Sequence, residues 1–287
     1  MIPQKISIIT VCYNAESTLE ATIQSVINQK YDNKEFIIID GKSNDKTVDI
    51  IKKYEDNIDF WVSEQDSGIP DALNKGIRRA TGEWLYFLSS DDLFFDDKVL
   101  ERIFIGRNLD DSNIIYGSVW FLLGKRKYDG EFDPQKILKQ DICHQAQFFK
   151  RSIFEILGYY EEQYKYASDW MFNLKAFLHL DVRWKYIDEV IAIFNDNGRT
   201  ANNIDKQFTR DKRKILIEKF YPVVSKKIIY ESTYSELYLA CLERKYVSAL
   251  IYSIQSLWYI KSFSHLKTLI VFLLNPGKNP LEKRKMK

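Results

Sequence analysis

Cysteine is scarce in this chain, with Cys12, Cys143 and Cys241 its three representatives among 287 residues. An odd, widely spaced set suits neither a disulfide framework nor a zinc site, so it predicts structural thiols kept reduced in a cytosol. A surplus of either charge is lacking too. The 42 Lys+Arg against 40 Asp+Glu leave a formal net charge of +2, and a nucleic-acid binder usually carries a clear basic excess, so no nucleic-acid partner is expected. No stretch reaches the roughly 18 to 20 uncharged apolar residues of a membrane span. Residues 1–10 show no basic region followed by a long apolar stretch, so neither a signal peptide nor export is expected. Two glycine-rich phosphate signatures are also missing. Gly41-Lys42-Ser43 has the ending of a P-loop, but that motif needs glycine five positions before Gly41, where Phe36 stands. No G-x-G-x-x-G follows the first apolar run, which removes the main support for dinucleotide binding. Internal repeats, low-complexity segments and long linkers are absent.

What is present is an ordinary globular composition, 45% hydrophobic, long enough for one large domain or a domain with an appendage. Ile6 to Val11, Glu35 to Ile39, Ile58 to Val62 and Trp84 to Leu88 are short, β-branched or aromatic runs, as strands covered on both faces should be. Helical segments alternate with them. Ser17-Thr18-Leu19-Glu20 reads as a capping box that opens a helix carrying Leu19, Ile23, Val26 and Ile27 on one face. A second helix starts near Asp45 as N-cap and turns Val48 and Ile51 inward, and a third runs from Ile69 to Ala80. This βαβαβαβ order predicts an α/β fold with a mostly parallel central sheet. Beyond Phe104 come a strand at 114–123, a hairpin around Gly124 to Lys127, helices near 151–157 and 168–180 and a strand-like stretch at 182–194, expected to build the other wall of a cleft. The predicted division is a first half at 1–105, a second half of the same domain at 106–203, and a helical C-terminal extension at 204–287.

Ligands of such sheets sit outside the carboxyl ends of the strands. That rule selects Tyr13-Asn14, Asp40-Gly41, Ser63 to Gly68 and Ser90-Asp91-Asp92. Adjacent acids at a strand end repel unless a cation lies beside them, and hard carboxylate oxygens suit Mg2+ or Mn2+ with positions left for a diphosphate. The bland alternative is that Asp91 caps a following helix and Asp92 is solvated.

The order of motifs adds a resemblance. Ile6 to Asn14, Asp40 with Ser43 to Thr47, Ser63 to Ile69, Asp71 to Gly76, and Gly82-Glu83-Trp84 leading into Ser89-Ser90-Asp91-Asp92 resemble inverting family 2 glycosyltransferases of the GT-A fold over about the first 200 residues. The resemblance implies that Asp40 accepts a hydrogen bond from the nucleobase over a floor formed by Thr10 to Tyr13. It places Asp66 and Lys75 along the ribose and diphosphate, Asp91 on ribose or metal, and Asp92 as the main ligand of Mn2+ or Mg2+. His144-Gln145 and Ala167-Ser168-Asp169-Trp170 resemble the acceptor-side motifs, with Asp169 as the base of an inverting transfer. Many relatives have Glu-Asp at 168–169, so Ser168 departs from the pattern, as does Pro70, where an aromatic is common. Each residue also has a structural alternative: Asp40 and Asp169 as turn or helix caps, Lys75 as a solvated lysine, His144 as a satisfied structural histidine.

The expected donor is a nucleotide sugar, UDP-sugar first, and the acceptor a saccharide or lipid-linked saccharide. Residues 244–287 hold nine Lys/Arg against one acid, Glu282, among Trp258, Tyr259, Phe263 and the run Leu269 to Leu274. That pattern predicts contact with the inner face of the plasma membrane, where each Lys/Arg near an anionic surface contributes about 1 kcal/mol; the alternative is a helical core packed on the domain. Two other function classes stay open, a sugar-nucleotidyltransferase and a non-catalytic nucleotide-sugar-binding protein. The first usually opens with a Gly-rich basic loop that Thr10 to Glu16 lacks.

Overall fold

The computed structural model describes residues 4–128, 130–197 and 205–220 and, between 234 and 270, chiefly 245–260. Two compact units divide it, Met1–Asn203 and Ile204–Lys287.

In the first unit β1 (Ile6–Cys12), α1 (Leu19–Ile27), β2 (Lys34–Asp40), α2 (Thr47–Lys53), β3 (Phe60–Ser63), α3 (Ile69–Arg79) and β4 (Trp84–Phe87) alternate as expected. The four strands pair in parallel in the order β3-β2-β1-β4. Then follow β5 (Leu93–Phe94), α4 (Val99–Phe104), β6 (Ile114–Phe121), β7 (Arg126–Tyr128), α5 (Pro134–Ile137), β8 (Gln147–Lys150), α6 (Ile153–Leu157), α7 (Ser168–Leu178) and β9 (Trp184–Phe194). The sheet continues β8-β6-β9-β5, with β7 hanging off β6 as the predicted hairpin.

Continuous apolar runs in β1, β2 and β4 are buried because helices cover both faces. On one face α3, α6 and α7 lay Leu73, Ile77, Phe154, Phe172 and Ala176 over Ile9, Ile37, Leu85 and Phe149. Gly76 of α3 is needed there, since a Cβ on it would stand 2.4 Å from Ile9 Cγ2. Away from that cluster, Leu19, Ile23 and Val26 of α1 are buried, and Tyr86 stacks between Phe94 and Phe148 at 4.8 and 4.5 Å.

Two local expectations fail. No side chain caps α1: Thr18 and Leu19 N–H groups donate to Ala15 O, and Glu20 accepts instead from Lys53 and Tyr54, so an inter-element ion pair outcompetes the capping box. No helix follows Asp91 directly either. The chain turns into the short strand β5, and α4 begins only at Val99.

The second unit contains α8 (Lys206–Phe220) and the helix α9 (Tyr246–Ile260). Glu243 is gripped by Arg210 through both oxygens at 2.9 Å and by Lys245 at 2.9 Å. Ala249 of α9 packs with Leu237, Ala240 and Cys241. Of the predicted tail, Phe263, most of 269–274 and all of 275–287 lie outside the described residues.

Candidate active site

The parallel ladder sets the first group of residues. Asp40, the last residue of β2, stands beside Cys12 of β1 and Ser63 of β3, and it is fully buried. Ser43 N and Ser63 Oγ donate to Oδ2 at 3.0 and 2.5 Å, Ser43 Oγ donates to Oδ1 at 2.5 Å, and Cys12 Sγ reaches Oδ1 at 3.6 Å. A carboxylate offers about four lone-pair sites, so these donors fill it. Burial and the adjacent Asp40 push the Cys12 thiol well above its ordinary range, which makes it an inert hydroxyl-like donor.

The loops after β1 and β2 are stitched together. Asn14, at φ 51°, donates from N to Ser43 Oγ and accepts from Asn44 N. Asp45 accepts from Thr47 N and Glu16 N at 3.0 and 3.1 Å, so it steadies the start of α2 from one residue before the N-cap position, which is Lys46 and not Asp45 as expected. Gly41 closes the gap to the third loop: a Cβ there would lie 2.4 Å from Asp66 Oδ2 and 3.5 Å from the Tyr13 ring. Tyr13, Gly41 and Asp66 therefore meet, with Tyr13 about half exposed at 49%. Burial raises the Asp66 carboxyl against the Gly68 N–H and the Lys75 charge. Lys75 is no solvated lysine; it pairs with Glu64 at 2.9 Å and donates to Gln65 O at 2.8 Å, clamping the loop that carries Asp66. Thr10 lies inside β1, fully buried, and its hydroxyl has no partner among the described residues.

A second group assembles because β8 runs antiparallel to β4, with Tyr86 opposite Phe148. The residues entering β8 thus return to the end where β4 exits. Tyr86 Oη fixes them by donating to Gln145 O at 2.9 Å. Gln145 Nε2 donates to Asp92 Oδ2 at 2.5 Å and to Ser89 Oγ at 3.3 Å. His144 Nε2 lies 3.1 Å from Ser89 Oγ, and its Nδ1 lies 3.3 Å from Asp169 Oδ2. Asp169 sits in the first turn of α7, whose N-terminal end favours negative charge. Its Oδ1 accepts from Trp170 N, and Trp170 Nε1 donates to Ile137 O at 2.8 Å, tying α7 down.

Asp92 is 1% exposed. Asn195 N donates to its Oδ1 at 2.7 Å, while Asn195 Nδ2 donates to Asp91 Oδ2 at 3.3 Å. Both donors to Asp92 are neutral, and burial together with the Asp91 charge pushes its carboxyl up to about 7. Among the described residues no group of three or more His, Cys, Asp or Glu could hold a metal unaided. The pair nevertheless fits a Mg2+- or Mn2+-type ion, which uses one or two carboxylates and takes its remaining oxygens from phosphates and water; the uncompensated, buried charge of Asp92 is what such an ion relieves.

Asn195 was not singled out by the motifs, and Ser89 stood in one of them without a role. Asn195 follows the carboxyl end of β9, which runs parallel to β6, so the strand-end rule extended to the second half would have found it. Its neighbour Asp196 accepts from Leu123 N and Gly124 N at 2.7 and 3.0 Å, fastening the β6–β7 turn to the same loop.

Comparison with known proteins bears on the family and the fold. The family description "Glycosyl transferase family 2" matches residues 7–157. A PGL/p-HBAD biosynthesis glycosyltransferase of Mycobacterium bovis is 34% identical over 211 residues, covering 71% of this chain and 82% of that protein. Among solved structures, S. aureus TarS 1-349 in complex with UDP-GlcNAc superposes with a TM-score of 0.64 at 16% identity, over 89% of this chain and 81% of that one. The mannosyltransferase PcManGT from Pyrobaculum calidifontis, in complex with GDP-Man and Mn2+, does so with a TM-score of 0.53 at 15% identity, over 97% and 89%. At these identities the likeness is one of fold.

Proposed function

The chain belongs to glycosyl transferase family 2 and is a glycosyltransferase; from that premise we propose that it moves a sugar from a nucleotide sugar, UDP-sugar first, to a saccharide or lipid-linked saccharide acceptor with inversion. The observation that carries this reading is the hydrogen-bonded row from Asp92 through Gln145, Ser89 and His144 to Asp169. It joins the carboxylate pair after β4 to the single carboxylate at the start of α7, and a sugar transfer needs a donor-side and an acceptor-side group near each other. Tyr13, Asp40 and Asp66 receive the nucleoside, the aromatic ring against the base and the carboxylates toward base and ribose. Lys75 acts through the loop it clamps. Asp91 and Asp92 would hold Mn2+ or Mg2+, which neutralises charge on a leaving diphosphate. Asp169 takes the proton of the acceptor hydroxyl as that oxygen bonds to the anomeric carbon and the carbon–diphosphate bond breaks on the far side. Fixed orientation of base and donor supplies much of the acceleration, because the reacting groups meet without further loss of entropy.

Incubation with Mn2+ and a panel of nucleotide sugars, following nucleoside diphosphate release with and without saccharide acceptors, tests the reading. Acceptor-stimulated release from one donor class is expected. Pyrophosphate release from a sugar phosphate and a nucleoside triphosphate would instead identify a nucleotidyltransferase, and tight donor binding without any release a binding protein.

A further inference from the structure

His144 was expected at the acceptor, yet both its ring nitrogens are engaged inside the protein. The direction of each bond in the row follows from what its members can donate. The Asp169 carboxylate, read as the base, only accepts. The Gln145 amide nitrogen has two hydrogens, and its two partners are Asp92 Oδ2 and Ser89 Oγ. Ser89 Oγ then accepts from Gln145 and has one hydrogen to give, which goes to His144 Nε2. A ring that accepts at Nε2 carries its proton at Nδ1, facing Asp169 Oδ2. Every bond of the row is satisfied with a proton at Nδ1, which the Asp169 carboxylate facing that nitrogen requires. In this orientation Gln145 Oε1 is left buried without a partner among the described residues.

We propose that His144 is a positioning residue that aims the Asp169 carboxylate, with Ser89 fixing its tautomer, so that the base is held in register with the Asp91-Asp92 loop. With Oδ1 bonded to Trp170 N and Oδ2 to His144, the carboxylate cannot rotate about its own axis. The loop after β4 is thereby tied to the start of α7 through side chains alone. The inference rests on the reading of Asp169 as base.

Two measurements test it. In steady-state kinetics His144→Ala should lower kcat about 10- to 100-fold, the usual cost of losing a group that orients a reacting one, with acceptor KM and donor affinity within about twofold. His144→Asn, whose amide nitrogen stands where Nδ1 does, should recover most of that loss. In an Asp169→Asn background His144→Ala should cost nothing further. A raised acceptor KM with intact kcat would return His144 to the acceptor, and multiplying losses in the double variant would show independent action; either overturns the proposal. The second measurement needs no activity: 15N chemical shifts of the imidazole, resolvable in a chain with three histidines, should report a proton at Nδ1 in the wild type and a shift toward Nε2–H in Asp169→Ala. An Nε2–H ring in the wild type sinks the proposal whatever sugar is used, whereas an Nδ1–H ring in a protein that releases no nucleoside diphosphate faults the transfer reading instead.

Discussion

Glu35 and Asp92 are both buried acids of one sheet, one near the start of β2 and the other just past the end of β4, and their surroundings drive them in opposite directions. Burial would raise Glu35, but Lys5, Ser7 and Thr81 outweigh it and bring the carboxyl down to about 2. Its stabilising contribution is therefore complete above its ordinary value near 4.5 and is lost as pH falls toward 2. Glu35→Gln should cost about 2 kcal/mol at pH 7, with the difference from wild type closing in denaturant titrations near pH 2. Asp92 has the other sign. With its carboxyl raised to about 7, the folded protein keeps a proton that the unfolded chain has released, so stability falls as pH climbs from about 4 to 7. Metal-free Asp92→Asn should gain thermal stability over wild type at pH 8 and show little gain at pH 4, and Mn2+ should raise the Tm of wild type alone. Equal effects of the substitution at both pH values would contradict this. Asp169→Asn should leave donor affinity intact and cut turnover by about 10²- to 10⁴-fold, which titration calorimetry and initial rates separate. The acids were legible in the sequence because a charge at a strand end is conspicuous. Ser89 and Asn195 were not, since an uncharged side chain following an apolar run is common, and their meaning comes from partners 55 residues or more away.

At the scale of elements, the first half was readable because period and strand length agree over β1 to β4. Reading weakened where elements are short: β5 has two residues and α5 four, too few to carry a periodicity. The capping box of α1 failed because nothing local discloses that Glu20 will find Lys53 and Tyr54 on another helix. The seat of α3 is equally non-local. Gly76→Ala would gain helix propensity, about 1 kcal/mol, but must push Ile9 or the helix aside in a packed core, where overpacking costs about 1 to 3 kcal/mol. A lowered Tm is expected despite the better helix former. Asn74 locks the same helix through Tyr160, its Nδ2 donating to Tyr160 O at 2.9 Å and its Oδ1 accepting from Tyr160 N at 3.0 Å.

At the scale of the whole molecule, the C-terminal helix α9 leaves Val247, Leu250, Ile251 and Ile254 exposed, spaced i, i+3, i+4 and i+7 on one stripe, while Ala249 and Ser253 are buried. No helix among the described residues is long and apolar enough to cross a membrane. We propose that this stripe, with the basic residues of 244–287, rests on an anionic lipid surface. The full chain should sediment with anionic vesicles, less so as salt screens the lysines, and changing those four residues to serine should release it. Unchanged sedimentation of that variant would leave the stripe without this role.

The position of Asp40 has a bearing on how the chain can be studied at all. Because it meets Cys12 on one side and Ser63 on the other in the parallel ladder, one carboxylate reads the alignment of three strands at once. Period two along a strand means that slipping β2 by a single residue would turn Asp40 to the opposite face and dismantle its four bonds. With Asp40 meeting the nucleobase as proposed, retention on an immobilised nucleoside diphosphate should count correctly threaded molecules and serve as a yield measurement for refolding.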